Sequence, residues 1–117
     1  MASDFERCDV CYGADPFKGD DYARPWLIIS NEQHPFQGEQ YVVLALTTRT
    51  WHDGFVRISE DEWIEGGTPK PSSIVPWSVE TIERGDIEFR QGRIESSLVD
   101  GTVAELTDYL RSETVAR

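Results

Sequence analysis

Lysine and cysteine are scarce in this chain, and long apolar runs are missing. Of 117 residues, only Lys18 and Lys70 are lysines and only Cys8 and Cys11 are cysteines. A disulfide framework is therefore not what holds the fold; a chain of this size buries roughly two thirds of the surface it exposes when unfolded and needs neither metal nor disulfides to stay folded. No apolar stretch approaches the ~18 residues of a spanning helix. The start, Met1-Ala2-Ser3-Asp4-Phe5-Glu6, lacks the basic and then apolar pattern of a secretory leader. A cytoplasmic protein without membrane contact is expected. No repeat, low-complexity tract or linker-like segment interrupts the chain, so residues 1–117 are expected to form one domain.

What is abundant is negative charge. Twenty-two acidic residues face eleven basic ones, giving a net charge of -11. In molar salt the Debye length falls to about 3 Å, so a dense carboxylate surface no longer repels itself and instead keeps the protein hydrated. The balance reads as halophilic. The plainer alternative is an acidic protein that uses charge only for solubility.

Cys8-x-x-Cys11 invites a zinc or redox reading. A structural zinc site wants four ligands, and the other donors in view, His34 and His52, are distant in sequence and in expected loops. A thioredoxin-type pair would open a helix, whereas Val10-Cys11-Tyr12 reads as strand. Two small residues at the start of a strand is the preferred reading, with no metal and no cofactor. A zinc-dependent domain remains the alternative.

The clearest strand is Pro25-Trp26-Leu27-Ile28-Ile29-Ser30, expected to pair as a hairpin with Tyr41 to Thr48. Shorter strands are predicted around Phe55–Ile58, at Ile74-Val75 before Pro76, from Val79 to Ile82 and from Ile87 to Phe89. Glu60 to Pro69 has room for one helical turn before Gly66-Gly67 ends it. Thr102-x-x-Glu105 fits a capping box, with Val103, Leu106 and Leu110 then on one face of a closing helix. Short strands followed by one terminal helix imply a mainly β fold, a small curled barrel or half-open sheet.

Four pieces in order, Asp15-Pro16-Phe17-Lys18-Gly19, Arg24-Pro25-Trp26-Leu27-Ile28-Ile29-Ser30-Asn31, Leu46-Thr47-Thr48 and Ser73-Ile74-Val75-Pro76-Trp77, resemble the motif series of the MazF/PemK toxins. These are mRNA interferases of type II toxin–antitoxin systems, and the acidic composition makes the likeness haloarchaeal-like. The resemblance spans nearly the whole chain. It implies an SH3-like barrel that forms a homodimer, cleaves single-stranded RNA without a metal, and is silenced by a cognate antitoxin. By position it puts the catalytic roles on Arg24 and Thr47, and its acidic member on Asp20 or Asp21, preferably Asp21, across a loop shorter than in relatives.

Metal-free RNA cleavage uses the ribose 2′-hydroxyl as nucleophile, so the enzyme must accept a proton, stabilise an anionic phosphorane and help the 5′-oxygen leave. Arg24 offers a fixed fork of donors for the phosphoryl oxygens. Thr47 can aim a hydroxyl at the same phosphate, and Asp21 can accept the 2′-proton. Thr48, Arg49, Trp51, His52 and His34 are the expected RNA-binding residues, with Trp51 as base platform and Arg49, Arg57 and Arg24 as a local positive groove. The residues also admit duller readings: Arg24 in a surface pair with Asp20 or Asp21, the threonines as strand ends, the histidines as loop residues. The competing function is a non-catalytic interaction module, or a gyrase-directed poison, on the same fold.

Overall fold

The computed structural model describes residues 4–112. Seven strands form one curled antiparallel sheet, β1 (Asp9–Asp15), β2 (Gly19–Ile28), β3 (Gln40–Thr47), β4 (Val56–Arg57), β5 (Trp63–Gly66), β6 (Ser73–Glu83) and β7 (Ile87–Ile94), in the spatial order β4-β6-β3-β2-β1-β7-β5. One helix, α1 (Ser96–Leu110), follows. The fold is mainly β with a C-terminal helix, as the strand pattern implied.

Both faces of the central strands are buried, which explains why they read as nearly continuous apolar runs rather than as alternation. Val10, Leu27, Leu44, Leu46, Ile58, Ile74 and Ile94 enclose the concave core with Val99 and Leu106 of α1. Cys11, Trp26, Ile28, Tyr41, Val43, Ala45 and Ile82 make a second cluster on the opposite face. Alternation along each strand decides membership, so neighbours such as Trp26 and Leu27 belong to different cores. Cys8 lies in the first cluster and Cys11 in the second, so the two thiols do not converge as a redox or chelating pair.

Three elements depart from the sequence pattern. The Ile74-Val75 and Val79–Ile82 stretches are one strand, β6, that runs through Pro76. The ladder steps from Leu44↔Val79 to Leu46↔Ile74, so extra β6 residues bulge out where proline has no N–H to donate. Residues 60–69 hold one 3₁₀ turn, Glu60–Glu62, and then the short edge strand β5, whose Gly66 faces Gly92 of β7. Helix α1 begins six residues before Thr102, and Thr102 is no cap: its buried hydroxyl donates to the Leu98 carbonyl at 2.8 Å. A threonine inside a helix satisfies itself in this way, which the capping-box pattern cannot distinguish. Leu110, expected on the packed face, is exposed.

Burial raises the Cys11 thiol from its ordinary 9.0 to about 12, with Asp9 adding to the shift. Its contribution to stability is therefore fully present below pH 9.0 and is lost as pH rises toward 12. Thermal unfolding across that window is expected to show falling stability, and Cys11→Ala should flatten the decline. Labelling of Cys11 by a thiol reagent at neutral pH should proceed only as fast as the chain unfolds.

Candidate functional site

The rim where β2 and β3 run past one another is set by register. Trp26 pairs with Ala45 and Leu27 with Leu44. Continuing the same pairing by two residues puts Arg24 opposite Thr47, on the face that carries Trp26 and Ala45. The Arg24 guanidinium stacks over the Trp26 ring, 5.6 Å from its centroid. Its Nη2 donates to the carbonyl of Leu46, the residue before Thr47, at 2.5 Å. The other terminal nitrogen, Nη1, lies 3.4 Å from Oδ2 of Asp15. Among the described residues, one N–H on each terminal nitrogen remains uncommitted, on a side chain 29% exposed, and the buried Nε has no partner.

Asp15 was quoted in the sequence motif without a role, and its place here comes from a turn. Its Oδ1 accepts the Phe17 N–H at 2.9 Å, which folds the chain after β1, and this leaves Oδ2 aimed at Arg24. The side chain is almost fully buried. Among the described residues, the carboxylate that holds Arg24 therefore comes from the preceding strand. Asp20 and Asp21 fall inside β2, not in a loop, and their side chains lie outside the described residues. The β1–β2 pairing jumps from Ala14↔Ala23 to Asp15↔Gly19, so the segment holding Asp20, Asp21 and Tyr22 is a bulge beside Arg24. Bulges of this kind re-aim side chains near functional sites.

Thr47 Oγ1 accepts the Arg49 N–H at 3.1 Å, which turns the chain off β3 and leaves the hydroxyl proton free to be donated. Thr48, Arg49, Trp51 and His52 follow in an exposed connection. Trp51 is 69% exposed and stands edge-on to His52 and Phe55, with centroids 5.3 and 5.6 Å apart. His52 meets Trp77 at 5.2 Å, and Trp77 meets Tyr109 of α1 at 6.2 Å. A continuous aromatic run therefore leaves the Thr47 rim toward the helix. His52 Nδ1 accepts the Gly54 N–H at 2.8 Å, leaving Nε2 as the outward nitrogen. Phe55 and Trp77 are members that single-residue reasoning missed or left undecided; only the packing of the loop onto β6 shows them.

His34 does not join this group. It lies in the connection between β2 and β3, where its Nδ1 accepts the Phe36 N–H at 3.0 Å. That connection meets the opposite end of β3 from Thr47, roughly 23 Å away along the strand. Trp26 is core, with its indole N–H donating to the Ala14 carbonyl at 3.1 Å. Among the described residues no three His, Cys, Asp or Glu side chains gather as metal ligands, and no helix is long and apolar enough to cross a membrane.

No family model and no curated protein matches the chain. Solved structures do. An endoribonuclease in complex with its cognate antitoxin from a mycobacterial species aligns with a TM-score of 0.67 at 21% identity, over 91% of this chain and 92% of that one. A MazE-MazF complex from Deinococcus radiodurans aligns at 0.70 and 12% identity, over 91% and 95%. The Mycobacterium tuberculosis toxin MazF-mt6 aligns at 0.63 and 20% identity, over 87% and 95%. What the chain shares with these toxins is their fold, a curled antiparallel sheet followed by one terminal helix.

Proposed function

We propose that the protein is a metal-independent endoribonuclease toxin of the MazF type, acting on single-stranded RNA and restrained by an antitoxin. The observation that carries this reading is the β2–β3 register, which, continued by two residues, sets Arg24 opposite Thr47, with the guanidinium tied to the Leu46 carbonyl and two of its N–H groups uncommitted among the described residues. The likeness to MazF structures, several of them solved with MazE or a cognate antitoxin, supports it at the level of fold.

In the proposed step the ribose 2′-oxygen attacks the adjacent phosphorus and its proton passes to Asp21. The phosphorus–5′-oxygen bond breaks and the departing 5′-oxygen takes a proton from solvent water, giving a 2′,3′-cyclic phosphate and a 5′-hydroxyl. Arg24 binds the phosphoryl oxygens as charge builds on them, and a pre-set donor of this kind typically contributes a few kcal/mol. Thr47 donates its hydroxyl to the same phosphate. Asp15 and the Leu46 carbonyl keep the fork in place, so little reorganisation is needed during reaction. Trp51 offers a face for base stacking, Thr48, Arg49 and His52 line the approach, and His34 takes no part at this rim.

The bulk charge opposes RNA binding at low salt. At molar salt the counterion-release term largely disappears, and stacking and hydrogen bonds carry the affinity. A salt-adapted cytoplasmic toxin working as a homodimer fits these terms, the second barrel lengthening the surface available to RNA.

Arg24→Ala should lower cleavage of single-stranded RNA about 10²- to 10³-fold in kcat, with wild-type cleavage unchanged by EDTA and its products ending in a cyclic phosphate. Full toxicity of the Arg24→Ala chain on expression would instead favour a non-catalytic poison. Potassium chloride titration monitored by circular dichroism should show the fold lost as salt is removed; a fold indifferent to salt contradicts the halophilic reading.

A further inference from the structure

Six arginines among the described residues, Arg7, Arg24, Arg84, Arg90, Arg93 and Arg111, are paired with carboxylates. Arg57 and Lys70 are not, although the protein is strongly acidic, and both border one open cleft of about 840 Å³. Lys18 and Arg49 also lack a carboxylate partner among the described residues, but neither borders this cleft. Trp63 and Thr68 also line this cleft, and Glu60 and Asp61 stand in its wall.

Register connects the cleft to the proposed reaction site. Thr47 pairs with Ser73 of β6, and Ser73 pairs with Arg57 of β4. Arg24, Thr47, Ser73 and Arg57 therefore form one row across four adjacent strands, all on one face, with a guanidinium at each end and hydroxyls between. At the usual strand spacing the row spans about 14 Å. Val56 and Ile58 pack on the concave core, which turns Arg57 outward. A second hollow of about 220 Å³, bordered by His52, Ser73 and Arg57, bridges the rim and the larger cleft.

We infer that this cleft is the path of the RNA strand beyond the scissile phosphate: Arg57 clamps a flanking backbone phosphate and Lys70 the next charge along. The inference rests on the nuclease reading and adds a subsite to it. A polyanion with charges at regular intervals matches guanidiniums held about 14 Å apart at the two ends of one row of strands. The carboxylates of Glu60 and Asp61 repel phosphate, which confines the backbone to the Arg57–Lys70 side.

Fluorescence anisotropy with labelled, uncleavable 2′-O-methyl RNA of mixed sequence, about four and about ten nucleotides long, tests it. Wild type should bind the longer RNA at least ~10-fold more tightly, and Arg57→Ala should remove most of that gain while reducing the salt slope by about 0.7. Lys70→Ala should act in the same direction. Arg57→Lys, which keeps charge but not the fork, should restore part of the gain. An Arg57→Ala protein that keeps the length-dependent gain, or that loses affinity equally for both lengths, overturns the subsite. So does a loss confined to binding of an antitoxin-derived peptide. If the wild type neither cleaves nor binds RNA, the nuclease reading has failed and the subsite falls with it, a result distinct from cleavage that ignores Arg57. Because Arg57 is exposed, the unfolding midpoint of the variant should match wild type.

Discussion

The antiparallel register between β2 and β3 is the constraint from which the rest follows. Trp26 opposite Ala45 and Leu27 opposite Leu44 place one pair in each of two cores, on opposite faces of the same two strands. A slip of one residue would send Trp26 into the space that Leu27 fills, so burial on both faces pins the pairing. The rim inherits that fixity. Arg24 and Thr47 are the next same-face positions beyond Trp26 and Ala45, so their placement is obtained from core packing rather than from a flexible loop. The Leu46 carbonyl and Asp15 then restrain a side chain that would otherwise be mobile.

Apolar patterning made the central strands legible, because Trp26 to Ile28 and Tyr41 to Leu46 are needed in the cores whatever surrounds them. The closing helix was legible in existence but not in extent. Ser96 to Gly101 carries few apolar residues, and Thr102 imitates a cap while lying inside the helix. Pro76 stopped the predicted strand, since a ladder without a bulge cannot absorb a proline, and a bulge is invisible until the partner strand is known. At the site, Arg24 and Thr47 were visible through their motif. Asp15 stands in the motif with no role of its own, for its contact with Arg24 depends on the β1–β2 pairing, and no pattern in sequence reports which carboxylate a guanidinium will reach. The separation of His34 from the Thr47 rim is hidden for the same reason: sequence shows a loop but not the end of the sheet at which it sits.

Charge carries different information at two levels. The net charge of -11 describes the solvent this surface suits. The pairing of individual cations describes what the surface does. Asp9, almost fully buried, accepts from both Arg90 and Arg93, and this knot ties β1 to β7. Such arginines are committed to the fold. Lys18, Arg49, Arg57 and Lys70 make no ion pair among the described residues; Lys18 sits in the β1–β2 turn, while Arg49 follows Thr47 and Arg57 lies in its row.

Single-turnover cleavage rates of Arg24→Ala, Thr47→Val and the double variant, compared as a cycle, address the central geometry most directly. If the two groups act on one phosphate from opposite strands, the double variant should be little slower than Arg24→Ala alone. Fully additive losses would mean that the two side chains act at separate places, and the paired rim would not be the seat of the chemistry.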